Sequence, residues 1–299
     1  MRNILLTISY DGTDFCGWQR QDDKSGGQAE RTVQGELEKA LEKLHKQKIL
    51  LYGSGRTDSG VHALGQAANF FSPIDSIPTS NYIRALNCLL PQDIRIMNAE
   101  DLVYSKKPQD EKNVDTRNEY VNKINNLDIR IMNAEEKSPD FNARFSATSR
   151  SYRYFISFSD SVPASSTRYV WNVKNYSPNI ERLNKYASCL RGEIDCASFA
   201  ASGDMSLSTN RFLDNAYFFM QKDIFGNDLL VFEIEANAFL WKMVRTITGT
   251  LINLDKTNAP EDSMQKILLA KDRTKAGVTA PSTGLFLYKI HFDGIRKHV

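Results

Sequence analysis

Short β-type runs alternate with amphipathic helical segments along this chain, and that alternation is what most restricts its fold. "NILLTISY" ends in the turn signal Asp11-Gly12-Thr13, and "ILLY" runs straight into a glycine-rich bend. "QAANFF" follows, and the second half adds "SYRYFISF", "NAYFFMQ", "DLLVFEIEANAF" and "GLFLYKIHF". Each suits a pleated, half-buried surface. In "TVQGELEKALEKLHKQ", Val33, Leu37, Leu41 and Leu44 recur at helical spacing, Thr32 is placed to cap the start, and lysines crowd the end. "SNYIRALNCLL", closed by Pro91, also reads as a helix, as do "NIERLNKYASCLRGE", "WKMVRTITGTLINL" and "EDSMQKILLAKD". Strands joined by short turns, with helices interspersed, predict an α+β fold with a largely antiparallel sheet.

One octapeptide, "DIRIMNAE", occurs at Asp93–Glu100 and again at Asp128–Glu135. The stretch between the copies is rich in lysine, asparagine and aspartate. Such composition buries little apolar area and predicts a mobile surface insertion. Two copies also fall short of the roughly three that a stacked repeat needs. The expected organisation is an N-terminal α+β half over 1–100, an insertion over 101–135 and a C-terminal α+β half over 136–299.

The 299 residues, 41% of them hydrophobic and 25% charged, suffice for a full core. A net charge of +2 leaves any polyanion site to a local patch. Cys16, Cys88, Cys189 and Cys196 form no C-x-x-C pair, and His45, His62, His291 and His298 lack metal-ligand spacing. No metal and no cofactor is therefore expected. "MRNILLTISYDG" is too short an apolar run for a signal peptide, and no stretch approaches membrane-spanning length. A reduced, cytoplasmic setting is expected, with no membrane partner.

"GSGRTDSGVHALGQ" (Gly53–Gln66) concentrates the chemistry. It lacks the Gly-Lys-Ser/Thr ending of a phosphate loop, the glycine spacing of a dinucleotide fingerprint, and the glycine two before the serine of a nucleophile elbow. Asp58-Ser59-Gly60 matches an aspartic-protease triplet, but that chemistry needs two carboxylates sharing a proton and no second such triplet occurs. What remains is one aspartate with Arg56 two residues before it. A carboxyl in contact with an arginine titrates lower, which suits a nucleophile or an electrostatic stabiliser and not a general acid. The same pair can also do no more than pin a tight turn.

Six blocks stand here in a fixed order: "YDGTDFCGWQRQ", "TVQGELEKAL", "GRTDSGVHALGQ", "ARFSATSRSYRYFI", "ANAFLWKMVRTITG" and "AGVTAPSTGLFL". Together they resemble the tRNA pseudouridine synthase A family from Asn3 to about Ile290, apart from the duplicated insertion. The resemblance implies a cofactor-free isomerase of tRNA uridines 38, 39 and 40 in the anticodon stem-loop, acting as a homodimer with a tRNA across both subunits. It implies two similar ferredoxin-like halves sharing a mainly antiparallel sheet, with a basic active-site cleft between them. It also implies roles: Asp58 as the catalytic carboxylate, Arg56 as the arginine that accompanies base flipping, and Arg245 as the partner of that carboxylate. Tyr152 is then the ring that packs against the target base, and Leu285 an apolar pocket residue. Arg150 and Arg211 are expected to bind substrate. The chain departs from the family pattern at Trp241 and Lys242, and around Arg211 in "STNRFLDNAYF".

Converting uridine to pseudouridine breaks the C1′–N1 bond, turns the base and joins C1′ to C5. A carboxylate can attack the sugar, attack the base or remove a sugar proton, and each route needs it deprotonated. A stem uridine must also leave its stack, at a cost of a few kcal/mol. "ARFSATSRSYRYF" interleaves Arg144, Arg150 and Arg153 with Phe145, Tyr152, Tyr154 and Phe155 and contains no acid. That composition suits base stacking beside phosphate, and equally a strand of core aromatics with solvated arginines. The core reading is preferred for Tyr154 and packing for Trp18, while His62 is expected to be a turn or sheet residue rather than a catalytic one. Lys106, Lys107, Lys112 and Lys123 make the insertion a candidate RNA arm.

Overall fold

Thr32 caps as its position predicts: its hydroxyl accepts from the Gly35 N–H at 3.3 Å and opens helix α1 (Val33–His45). Lys46, in the left-handed conformation, ends that helix. The computed structural model describes residues 1–21, 30–90 and 129–297. They fall into two units, Met1–Arg56 with Gly65–Phe145, and Thr57–Leu64 with Ser146–Val299.

In the first unit β1 (Arg2–Tyr10) lies between β4 (Ile129–Lys137) and β3 (His62–Ser72), and β2 (Tyr52–Gly53) pairs with β3. The unit boundary falls within β3, after Leu64. Ile4, Leu6 and Ile8 alternate along β1 and are fully buried, as are Leu37 and Leu41 of α1. Helix α2 (Asn81–Leu89) adds Tyr82 and Leu86 to the buried set. Polar groups inside are paired. Asn69 donates to Asn3 Oδ1 at 2.8 Å and accepts from the Ala143 N–H at 2.8 Å, while Asn3 donates to the carbonyls of Ser138 and Phe141.

The second "DIRIMNAE" copy departs from its expected place in a mobile insertion. Ile129–Lys137 is β4, antiparallel to β1 from Asn3↔Lys137 to Tyr10↔Ile129, with one bulge at Thr7/Ile8. Ile129 and Ile131 are fully buried. The apolar residues inside the repeat gain a sheet partner far away in sequence, which local composition does not register. The first copy and Lys106, Lys107, Lys112 and Lys123 lie outside the described residues. "ILLY" also differs: only its tyrosine is in a strand, β2, although Ile49 and Leu51 are buried.

In the second unit the strand order runs from the start of β3 through β10 (Leu285–His291), β5 (Ser149–Ser157), β9 (Asp228–Ala236) and β8 (Asn210–Lys222) to β7 (Gly192–Asp195). β6 (Trp171–Asn172) pairs with β5. The β10–β3 and β5–β6 pairs are parallel, and β10–β5, β5–β9, β9–β8 and β8–β7 are antiparallel. The architecture is thus α+β with mainly antiparallel pairing, as the sequence pattern predicts.

Helices α3 (Ile180–Ala187), α4 (Met243–Lys256) and α5 (Ser263–Ala270) close one core with these strands. Tyr154, Ile156, Phe232, Ile234 and Leu285 meet Met243, Ile247 and Leu251 of α4 there. The far end of α4 is anchored by the buried Asp255 carboxylate. It accepts from the Tyr176 hydroxyl at 2.7 Å, the Asn179 N–H at 3.1 Å and Arg182 Nε at 2.6 Å. A buried carboxylate with this many donors is compensated rather than stranded.

Candidate active site

The glycine bend resolves into a tight turn. The Val61 N–H donates to the Asp58 carbonyl at 3.1 Å, and Gly60 occupies the third position with φ +75°. A positive φ there is the demand of a type II turn, and glycine meets it without strain. A Cβ at Gly60 would also lie 2.5 Å from Ser282 Oγ. The other glycines differ in use. Gly53 lies against the Trp18 indole, whose Nε1 would be 2.5 Å from an added Cβ, whereas nothing lies within 4 Å of one at Gly55. Trp18, only 2% exposed, is therefore a packing residue.

This turn presents Asp58 to Arg245, two residues inside α4. Arg245 Nη1 donates to Asp58 Oδ2 at 3.0 Å, with the two side chains 16% and 23% exposed respectively. The same guanidinium donates from Nε to the Ala280 carbonyl at 2.8 Å, and the Ala280 N–H returns a bond to the Arg245 carbonyl at 3.1 Å. The segment from 276 to 284 thus serves both members of the pair. It carries Ala280 against Arg245 and Ser282 against Gly60, and its Pro281 carbonyl accepts from the buried Tyr154 hydroxyl. It is stitched to α4 further along, by the Gly277 N–H to Thr250 Oγ1 at 2.9 Å and by Thr246 Oγ1 to Thr279 Oγ1 at 3.3 Å. A single-point Lys ammonium could not serve Asp58 and Ala280 in these two directions, whereas a guanidinium fork can.

Tyr152 completes the cluster. On β5 it stands in register with Ile234 and Leu287, and its ring meets Phe239 edge-on at 5.1 Å. Burial pushes its hydroxyl well above the ordinary tyrosine value, and the negative charge of Asp58 adds to the shift, so the phenol stays neutral. A neutral ring beside a paired carboxylate can bind a base face but is no general base.

The remaining expected residues divide. Arg56 is exposed and belongs to the first unit; the guanidinium that meets Asp58 is that of Arg245. Arg150 is buried, donating from Nη1 to the Asn237 carbonyl at 2.7 Å and to that of Ala147 at 3.3 Å. Arg211, at the start of β8, donates to the Ser208 carbonyl at 2.8 Å, and burial lowers its pKa from the ordinary arginine value. Leu285 is 4% exposed, across from Tyr154 in the sheet register. Arg153 is paired: β9 places Glu233 directly opposite, Nε to Oε2 at 2.6 Å, and the Tyr288 ring lies 3.7 Å from its guanidinium. His62 is buried and stacks on Phe286 at 4.6 Å. Ala280, Ser282 and Phe239 escaped the reading of single residues, although all three lie in the blocks that carry the resemblance.

Among the described residues no group of three or more histidine, cysteine, aspartate or glutamate side chains is gathered as metal ligands would be, and no helix is long and apolar enough to cross a membrane. The sequence profile of the family described as tRNA pseudouridine synthase matches residues 6–106 and 186–293. The chain is 48% identical to a tRNA pseudouridine synthase A of Treponema denticola over 97% of its own length and 93% of the relative's. It is 38% identical to one of Brachyspira hyodysenteriae over 98% and 99%, and 37% identical to one of Caldicellulosiruptor saccharolyticus over 97% and 99%. Matches that run nearly end to end take in the Asp58 turn, the Tyr152 strand and the Arg245 helix together, and the chain belongs to the tRNA pseudouridine synthase family.

Proposed function

We propose that this protein isomerises uridine to pseudouridine in tRNA, at positions 38, 39 and 40 of the anticodon stem-loop, with Asp58 as its catalytic carboxylate. The observation that carries the assignment is the Asp58–Arg245 pair at 3.0 Å beside Tyr152. The charge-assisted bond from Arg245 orients one carboxylate oxygen and leaves Asp58 Oδ1 for the nucleoside. Attack on the sugar, attack on the base and removal of a sugar proton all call for that oxygen. Uridine and pseudouridine are isomers, so the conversion consumes no co-substrate and calls for no redox group.

Tyr152, neutral and braced by Phe239, supplies the platform for an extruded uracil, and base–aromatic stacking contributes on the order of 1–3 kcal/mol toward the cost of unstacking. Arg56, exposed and two residues from the carboxylate, is the cation available to enter the space the base vacates. Arg150 and Leu285 act from behind: Arg150 ties the start of β5 to Asn237, and Leu285 fills the core under Tyr154. Arg211 supplies positive charge toward the RNA backbone. A cytoplasmic homodimer engaging one tRNA across both subunits is the assembly proposed, on the strength of the family resemblance.

The test is Asp58→Asn with tRNA labelled with tritium at uridine C5. The C5 hydrogen must leave when C5 becomes the glycosidic carbon, so release reports the whole rearrangement. The variant should bind tRNA nearly as the parent does and release no tritium; release at the parental rate refutes Asp58 as the catalytic group.

A further inference from the structure

Three tryptophans occur in the chain, and one of them is out of place for a core residue. Trp18 is buried, and Trp171 packs against the core of the second unit. Trp241 is 44% exposed, immediately before the helix that carries Arg245. Exposure of an indole without constraint would be an ordinary surface accident. Here the constraint is elaborate. The Trp241 N–H donates to Asp204 Oδ2, and its carbonyl accepts from the Ala201 N–H at 3.0 Å. Asp204 is itself fixed, taking the Ser206 N–H on Oδ1 at 2.8 Å and donating its own N–H to the Ala201 carbonyl at 3.1 Å. Both backbone groups of the tryptophan are thereby tied to one loop, which leaves the residue partly open to solvent.

The next residue points to a ligand class. Lys242 adopts φ 57°, a left-handed conformation uncommon for residues other than glycine and shared in this chain by Lys46 and Lys271. Its ammonium lies over the Trp241 ring, 4.4 Å from the centroid. An exposed indole with an ammonium over it offers the two groups that a nucleotide uses: a flat ring for the base and a positive charge that can swing from the ring to its phosphate. An apolar protein partner would gain nothing from the lysine, and a duplex offers no base face.

We propose that Trp241 and Lys242 form a second nucleotide subsite, in which an unpaired RNA base stacks on the indole and its phosphate meets Lys242. The subsite rests on the RNA reading of the Asp58 site but not on Asp58 chemistry. Helix α4 joins the two: it begins at Met243, directly after the Trp241–Lys242 pair, and carries Arg245 in its first turn. Trp241 is thus a substrate-positioning residue for tRNA.

Tryptophan fluorescence tests it by difference: Trp18 is buried and Trp171 partly so, and comparison with Trp241→Leu isolates the contribution of the exposed indole. Titration of the full chain with an anticodon stem-loop RNA should quench emission, and a fully paired RNA duplex of equal length should not. Trp241→Leu should lose that quenching and bind the stem-loop about 5- to 150-fold more weakly. Trp241→Tyr should restore most of the affinity. Tritium release at saturating tRNA should stay at the parental rate in Trp241→Leu while KM rises. Lys242→Asn, which keeps a residue tolerant of the left-handed backbone, should lower the slope of log affinity against log salt by about one. Equal affinity of Trp241→Leu and the parent, quenching by the duplex as strong as by the stem-loop, or a change only in self-association each overturns the subsite. Absence of tritium release by the parent protein would instead overturn the proposed activity, so the two failures are distinguishable.

Discussion

Gly249 sets two physical effects against each other, and their sizes predict the sign of one substitution. It sits in the interior of α4, where replacing glycine by alanine ordinarily stabilises a helix by about 1 kcal/mol. Here an added Cβ would lie 2.0 Å from the Val278 carbonyl oxygen and 3.1 Å from the Ala280 nitrogen. Both obstacles are backbone, so no side-chain rotation relieves them. Overpacking of this kind costs about 3 kcal/mol, the upper end of its usual range, which leaves Gly249→Ala destabilised by roughly 2 kcal/mol. With a urea dependence of about 1–3 kcal/mol per molar, the unfolding midpoint followed by circular dichroism should fall by about 1 M. The consequence extends to the site, because the segment that must retreat holds Arg245 through both bonds of Ala280. Misplacement by about 1 Å can cost on the order of a hundredfold in rate, so tritium release should fall well below the parental value. A midpoint equal to or above the parent's would show that helix propensity wins and that the close approach is not rigid.

Other outcomes follow from the same geometry. Gly60→Ala imposes a positive φ on an L-residue and drives a methyl to 2.5 Å from Ser282 Oγ; a cost of about 1–2 kcal/mol from the backbone alone should persist when Ser282→Ala relieves the contact, and full recovery in the double variant would show that φ is not the constraint. Arg245→Lys keeps the charge but cannot serve Asp58 and Ala280 together, so tritium release should fall about 10- to 100-fold with little change in tRNA affinity; an unchanged rate would demote the fork to a structural clip. Tyr152, Tyr154 and Tyr176 all titrate above the ordinary tyrosine value, chiefly because burial disfavours the phenolate. Their raised pKa values contribute stability that is whole below about pH 10 and is lost as pH rises beyond it. Ultraviolet absorbance should therefore show some tyrosines ionising late and together with unfolding; a single gradual titration of all twelve near the ordinary value would contradict the burial argument.

Local signals were readable where they did not depend on a distant partner. Thr32, the helical spacing of Val33, Leu37 and Leu41, and the strands around Tyr154 and Phe232 follow from side-chain type and period alone. The repeat did not, because β4 is created by its pairing with β1 more than a hundred residues away. Arg153 shows the same limit at one residue. Its own segment contains no acid, yet the register of β9 sets Glu233 opposite, which turns a candidate RNA cation into half of an ion pair. At the site, the sequence singled out the Asp58 carboxylate but set Arg56, its neighbour in the chain, beside it. The guanidinium in contact comes from 187 residues on. The resemblance, and not the spacing, pointed to Arg245.

That distant pairing explains why the site needs so little of the chain to define it. Asp58 is fixed by a four-residue turn that glycine closes without strain at its third position, and Arg245 by a helix anchored at its far end through Asp255. Neither element touches the other's backbone through a shared strand. The segment from 276 to 284 supplies the common reference, bonding to α4 at Ala280, Gly277 and Thr279 and abutting the turn at Ser282. A displacement of this segment must move the guanidinium and the carboxylate at once, whereas a change in either element alone alters only their separation. Threonine hydroxyls and backbone amides, which carry no chemistry of their own, therefore set the geometry of the Asp58–Arg245 pair. Bulkier residues that would loosen that reference are opposed at Gly60 by its φ of +75°, at Gly249 by a backbone oxygen 2.0 Å from where a Cβ would sit, and at Gly277 by the close approach of the Thr250 backbone.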